Sequence, residues 1–133
     1  MPDYVTDTHG LIWHLEDSPR LGIQARACFA ACDRGECIIY VPTICLVEII
    51  YLQEKGRIPA EMKEQLTTGL LDGSAGIALA DLTAEVASRV SSVSREQVPD
   101  MPDRIIAATA LHLDLALITR DHQIKVSGIN TIW

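Results

Sequence analysis

The sequence predicts a single α/β domain over residues 1–133, with helices on both faces of a central, mainly parallel sheet. Three observations carry this expectation. Short apolar runs alternate along the chain with longer segments whose apolar residues recur at helical spacing, the pattern of strand–helix–strand units. Hydrophobic residues make up 48% of the chain and charged ones 22%, which suits one compact core and excludes disorder. Acidic residues stand where strands end and helices begin, the two kinds of position that share the carboxyl edge of a parallel sheet.

Each element follows from local residues. Tyr4-Val5-Thr6 is a β-prone run ending at Asp7, and residues 10–15 follow as a short helix, so Asp7 stands at a strand-to-helix junction. Ser18 and Pro19 predict the start of a second helix, with Leu21, Ala25, Cys28, Phe29 and Cys32 at helical spacing until Gly35 stops it. Residues 37–41 read as a strand, and Pro42-Thr43 turns the chain into a third helix over 44–54 that carries Glu48. Residues 59–71 open with Pro59 and place Met62, Leu66 and Leu70 on one stripe, an amphipathic helix closed by Asp72-Gly73-Ser74. Residues 77–82 predict a third strand, after which Thr83 caps a helix through Val86, Val90 and Val93. Asp100-Met101-Pro102-Asp103 opens the next helix, because proline is tolerated in a first turn and carboxylates favour the positive end of the helix dipole. Its apolar body spans 105–113, and the strand at 115–119, suited to burial on both faces, breaks at Arg120-Asp121. A turn then reaches Val126, and residues 129–133 predict an edge strand.

Composition narrows the functional classes. The start lacks the basic segment and apolar run of a signal peptide, and the most apolar window, 38–52, is broken by Pro42 and is shorter than the roughly 20 residues of a spanning helix. A cytoplasmic protein without a membrane segment is expected. Cys28, Cys32, Cys37 and Cys45 fall in apolar segments without Cys-x-x-Cys spacing, and read as reduced core residues. His9, His14, His112 and His122 share no ligand spacing, so a zinc site is not expected. The net charge of −7 argues against nucleic-acid binding by a general basic field.

Four carboxylates invite a chemical reading. Asp7 and Asp121 could simply cap helices or turns, and Asp103 could simply complement a helix dipole. Glu48 is harder to excuse, because Ile44, Leu46, Val47, Ile49, Ile50 and Leu52 surround it with apolar side chains and predict a well-buried helix. A buried carboxylate needs a partner, either an arginine such as Arg26 or Arg89 or a metal. Jointly, Asp7, Glu48, Asp103 and Asp121 can converge at one sheet edge. Crowded carboxylates resist ionisation unless cations join them, and an oxygen-only donor set calls for Mg²⁺ or Mn²⁺. Such ions polarise a phosphoryl oxygen, make a nucleophile of water and steady a leaving oxygen. Phosphodiester hydrolysis is the chemistry suggested.

The motifs Val5-Thr6-Asp7-Thr8-His9-Gly10-Leu11-Ile12-Trp13, Leu46-Val47-Glu48-Ile49, Asp103-Arg104-Ile105-Ile106-Ala107-Ala108-Thr109-Ala110 and Leu117-Ile118-Thr119-Arg120-Asp121 together resemble a PIN-domain ribonuclease, most nearly a VapC-type toxin of bacterial toxin–antitoxin pairs. The resemblance spans the chain nearly end to end. It implies a three-layer α/β/α sandwich, Mg²⁺-dependent cleavage of RNA, a homodimer and an antitoxin that blocks the site. It places the acidic quartet on Asp7, Glu48, Asp103 and Asp121, with Asp100 as an auxiliary acid. One departure is visible: the family's Asp-Pro-x-Asp-Arg stands here as Asp100-Met101-Pro102-Asp103-Arg104, with proline one place late.

Thr8 and Thr119 adjoin the quartet and could hydrogen-bond its carboxylates or merely fill strand ends. Arg104 and Arg120 could hold substrate phosphates or form structural pairs. Two divalent ions would offset four of the seven excess negative charges, leaving RNA binding to the metals and to local cations such as Lys55, Arg57, Arg104, Arg120 and Lys125. Trp13, Ile50 and Tyr51 could supply apolar surface to a homodimer or lie in the core. Two rival readings remain: a housekeeping RNA-processing PIN nuclease without an antitoxin, and a receiver-type signalling module with Asp81 as phospho-acceptor. The first strand lacks the acidic pair of a receiver, and Asp7-Thr8-His9 lacks the Asp-x-Asp of an aspartate-nucleophile phosphatase.

Overall fold

Tyr4–Thr6, strand β1, is the middle of the sheet, and Val5 and Thr6 are wholly buried. A strand covered on both faces needs an apolar run rather than alternation, which is what the sequence supplies there. In this computed structural model residues 2–72 and 76–133 are described. Strands β2 (Ile39–Pro42), β3 (Ile77–Ala80), β4 (Ala116–Ile118) and β5 (Thr131–Ile132) complete a sheet of order β3-β2-β1-β4-β5. Every pairing in it is parallel, with Tyr4 opposite Ile39 on one side and Ala116 on the other. The expected α/β sandwich is thus present, and the sheet is wholly rather than mainly parallel.

Seven helices flank the sheet among the described residues: α1 (Thr8–Leu15), α2 (Ile23–Asp33), α3 (Thr43–Glu54), α4 (Ala60–Asp72), α5 (Ala84–Arg89), α6 (Met101–Leu113) and α7 (His122–Val126). From β1 the chain steps outward to β2 and β3, then returns across the sheet to β4 and steps outward again to β5. The reversal opens a crevice between the carboxyl ends of β1 and β4, the place where open parallel sheets bind ligands. The Asp7 amide donates to the Ile118 carbonyl at 3.0 Å and closes the two strand ends together.

The core runs through the faces of these elements, with Leu11, Phe29, Ile39, Ile49, Ile106, Leu117 and Ile124 its largest fully enclosed side chains. All four cysteines are buried thiols outside any disulfide, as their apolar settings predict. No helix among the described residues is long and apolar enough to cross a membrane.

Several local expectations change. Ser18-Pro19 does not begin α2, because Asp17 adopts a left-handed φ of 51° and the Leu21 amide closes a turn onto the Ser18 carbonyl. The helix starts at Ile23 instead, with Gly22 at its cap position. A Cβ on Gly22 would lie 2.5 Å from the Trp133 ring, so the glycine there makes room for the tryptophan. Past Arg89 the chain tightens into a 3₁₀ turn, Val90–Ser92. The expected turn after Asp121 is the short helix α7. The stop at Gly73-Ser74 and the side chain of Leu70 lie outside the described residues, whereas Met62 and Leu66 are buried as their stripe requires.

α3 also departs from expectation. Cys45 and Ile49 are buried, but Val47 is 47% and Tyr51 60% exposed, so an all-round apolar helix leaves one face uncovered in the single chain. Glu48 is half-buried rather than sealed in the core. Arg26, considered as its partner, is instead paired with Asp17 at 3.1 Å.

Candidate active site

A cavity of about 550 Å³ opens at the carboxyl edge, and Asp7, Glu48, Asp100, Asp103 and Asp121 all line it. Each arrives by a different local device. Asp7 leaves β1 and caps α1, its Oδ1 accepting from the Gly10 amide at 2.7 Å. Its Oδ2 accepts from the Thr119 hydroxyl at 2.6 Å. That same hydroxyl accepts from the Asp121 amide at 3.1 Å, so Thr119 bridges the two acids that end neighbouring strands. Thr8, at the start of α1, donates to Glu48 Oε1 at 2.5 Å and orients a side chain brought by α3. Asp100 caps α6 by accepting from the Asp103 amide at 3.1 Å, so the displaced proline still permits a cap and first turn. Asp121 caps α7 by accepting from the Gln123 amide. Capping and facing the cavity are therefore compatible roles for these aspartates: one oxygen can satisfy the backbone while the carboxylate still contributes charge to the crevice.

The electrostatics are those of crowding. Burial pushes the Asp7 carboxyl up, with Asp121 adding to the shift and the Thr119 and Gly10 hydrogen bonds opposing it. Asp103 is pushed up to about 7, first by burial and then by the charges of Asp100, Glu48, Asp121 and Asp7. A site that penalises its own ionisation in this way lacks positive charge. Its all-oxygen donor set fits a hard divalent cation. Among the described residues, however, no three His, Cys, Asp or Glu side chains are gathered tightly enough to grip one ion. The fit therefore lies in donor type and charge, not in a preformed coordination shell.

One wall of the cavity has a different character. The Arg120 guanidinium lies 4.7 Å from the centre of the Trp13 ring, and that of Arg20 lies 6.0 Å away. Trp133 meets Trp13 edge-on at 5.6 Å, and His9 approaches it at 5.4 Å. Trp13 itself is only 6% exposed, so it belongs to the wall and the core rather than to a free dimer surface. Sequence reasoning missed His9, Arg20 and Trp133 as cavity residues. Arg20 sits in a polar loop and Trp133 just past a distant edge strand, so no spacing linked them to the acids. Gly10 had a signal, three residues after a capping aspartate: a Cβ there would come within 2.8 Å of Thr6 Oγ1 and 3.0 Å of Asp7 Oδ1.

Arg104 does not join the cavity. Its Nη2 donates to the Val90 and Val93 carbonyls, each at 2.9 Å, while its Nε is buried without a partner among the described residues. Of the two roles expected of it, substrate binding or structural pairing, the observed contacts are structural: its guanidinium pins the 3₁₀ turn to α6. Asp81 also stands apart, following edge strand β3 and absent from the cavity lining, which removes the geometric basis of the receiver reading.

The PIN-domain family model matches residues 4–128. Among solved structures, the chain is similar to VapBC2 from Rickettsia felis bound to a DNA fragment from its promoter, with a TM-score of 0.68 and 17% identity over 97% of this chain and 96% of that one. DNA-bound VapBC from Salmonella typhimurium matches with a TM-score of 0.67 and 18% identity over 99% and 98%. A toxin–antitoxin complex from Klebsiella pneumoniae matches with a TM-score of 0.65 and 21% identity over 98% and 97%. No curated protein sequence matches significantly. At these identities the solved structures establish the fold.

Proposed function

The chain belongs to the PIN-domain family, a family of nucleases, and from that premise we propose that it is a Mg²⁺- or Mn²⁺-dependent endoribonuclease acting as the toxin of a toxin–antitoxin pair. The observation that carries the reading is the convergence of Asp7, Glu48, Asp103 and Asp121, from separate elements, on one cavity at the sheet's switch point.

Asp7, Glu48, Asp103 and Asp121 are the residues that would hold the metal. When bound, the cation offsets their charge, polarises the phosphodiester and lowers the pKa of water. The chain's own residues prepare this. The Gly10 amide and the Thr119 hydroxyl fix both oxygens of Asp7, and Thr8 fixes Glu48, so two donors are oriented before substrate arrives. Asp103, whose carboxyl is pushed up to about 7 by burial and by its acidic neighbours, would give up its proton to a cation held there. Arg120, beside the acids, supplies the positive charge for substrate phosphate that the carboxylates cannot. Asp100 stays auxiliary, as a cap at the rim.

The similar structures are toxin–antitoxin complexes, which favours an antitoxin partner over the housekeeping alternative. Exposed Val47 and Tyr51 on α3 supply apolar surface suited to a homodimer. The test pairs Mn²⁺ titration with cleavage of a labelled RNA, for wild type and Asp7→Asn. Asparagine caps a helix as well as aspartate, so the variant should fold. It should lose at least about a hundredfold in rate, on the scale of removing one electrostatic group from an active site. Full activity in Asp7→Asn would reject the site. Growth arrest on induced expression, relieved by co-expressing an adjacent antitoxin gene, separates toxin from housekeeper.

A further inference from the structure

A second cavity, of about 260 Å³, adjoins the acidic one and shares Arg120, Asp121 and Trp133 with it. Its balance is opposite in sign: Arg120 and Lys125 line it, beside His122, against a single acidic side chain, Asp121. Among the described residues neither Arg120 nor Lys125 enters an ion pair, although the chain as a whole carries −7. Cations left unpaired in an acidic protein, next to a carboxylate cavity, form a local attractor for anions. The divide between the cavities is aromatic. Trp133 is half-buried and is held in place by Gly22, by its T-shaped contact with Trp13 and by the Gln24 amide, which donates to its backbone carbonyl at 2.9 Å.

Sites that hold single-stranded nucleic acid combine cations that track the backbone with aromatic rings on which bases stack. This pair of cavities has both, in sequence: acids, then an arginine and an indole, then a basic hollow. We infer that the second cavity is a flanking-nucleotide subsite, in which Arg120 and Lys125 hold the phosphate next to the scissile one and an unpaired base stacks on Trp133. The inference rests on the nuclease reading and deepens it, since it names the residues that would take the nucleotide beside the cut. A base inside a duplex is already stacked and paired, and its face is not available to Trp133.

Intrinsic tryptophan fluorescence of the full chain, titrated in EDTA at low salt with a short single-stranded ribo-oligonucleotide, tests it without cleavage. Wild type should be quenched by the single strand and much less by a blunt duplex of the same sequence. Trp133→Phe should lose the quench yet retain binding by anisotropy of a labelled strand, whereas Trp133→Ala should weaken binding on the order of tenfold. Lys125→Gln, at an exposed position, should weaken it several-fold and make the slope of log affinity against log salt shallower by about 0.7. No binding of single strands, equal binding of duplex, or an unchanged salt slope in Lys125→Gln would overturn the subsite. Cleavage with Mn²⁺ is read separately. A chain that binds as described but cuts nothing overturns the nuclease reading alone, and one that cuts with a KM indifferent to Lys125→Gln overturns the subsite alone.

Discussion

Thr119 carries more of the site than any acid, because one hydroxyl donates to Asp7 and accepts from the Asp121 amide. A carboxylate whose position depends on such a bond loses its orientation when the hydroxyl is removed, even though no ligand is deleted. The acids themselves lead to a prediction about pH. In metal-free protein Asp103 titrates near 7, above the ordinary carboxylate value of about 4, so the folded state holds this proton more tightly than the unfolded state does. Its contribution to stability therefore falls as pH rises between those two values, and Asp7 is shifted in the same direction. Thermal unfolding in EDTA should carry from these acids a component of Tm that declines from about pH 5 to about pH 7, against the opposite trend from His14, whose pKa burial lowers. Asp103→Asn cannot ionise and should lose part of that decline. Parallel profiles for the two proteins would mean that Asp103 is not the crowded acid. Saturating Mn²⁺ should raise the wild-type Tm most at the upper end of the range, where the carboxylates are charged.

At the scale of elements, α6 is where the sequence was most legible and also where one role stayed open. Asp100, Pro102 and Asp103 mark its first turn in any reading, because capping and proline chemistry are local. The partner of Arg104 is not local: it depends on the 3₁₀ turn at Val90–Ser92, which forms where helical spacing predicted a continuous helix. Arg104→Gln should therefore destabilise the protein by about 2–3 kcal/mol, the scale of losing charge-assisted hydrogen bonds to enclosed carbonyls. The kcat and KM on RNA should stay unchanged below the new melting point. A raised KM with an unaltered Tm would return Arg104 to substrate binding. α2 illustrates a related limit. Ser-Pro is a sound start signal, but the left-handed turn at Asp17 and the packing of Trp133 on Gly22 move the start to Ile23, and neither can be read within one window. α3 failed for a third reason, since apolar composition predicts burial only if the chain itself supplies the cover.

For the molecule as a whole, the alternation of strands and helices and the placement of acids at their junctions were enough to foresee the parallel sheet and the convergence on one edge. What surrounds the acids was not foreseeable, because the aromatic wall joins α1 to the segment just past β5, at opposite ends of the sequence. The uncovered face of α3 leads to a prediction at this scale. If Val47 and Tyr51 meet a second copy, Tyr51→Lys should shift sedimentation from dimer to monomer while leaving the folded chain intact. A wild-type chain that is monomeric at all concentrations would leave that face to a different partner. The central pairing of β1 with β4 has a temporal consequence as well. Tyr4–Thr6 is synthesised well before the strand that completes the crevice and the threonine that locks Asp7. A nascent chain interrupted between α6 and β4 carries Asp7, Glu48 and Asp103 but has no crevice to hold them. Under the proposed function, such unfinished copies should therefore be inactive.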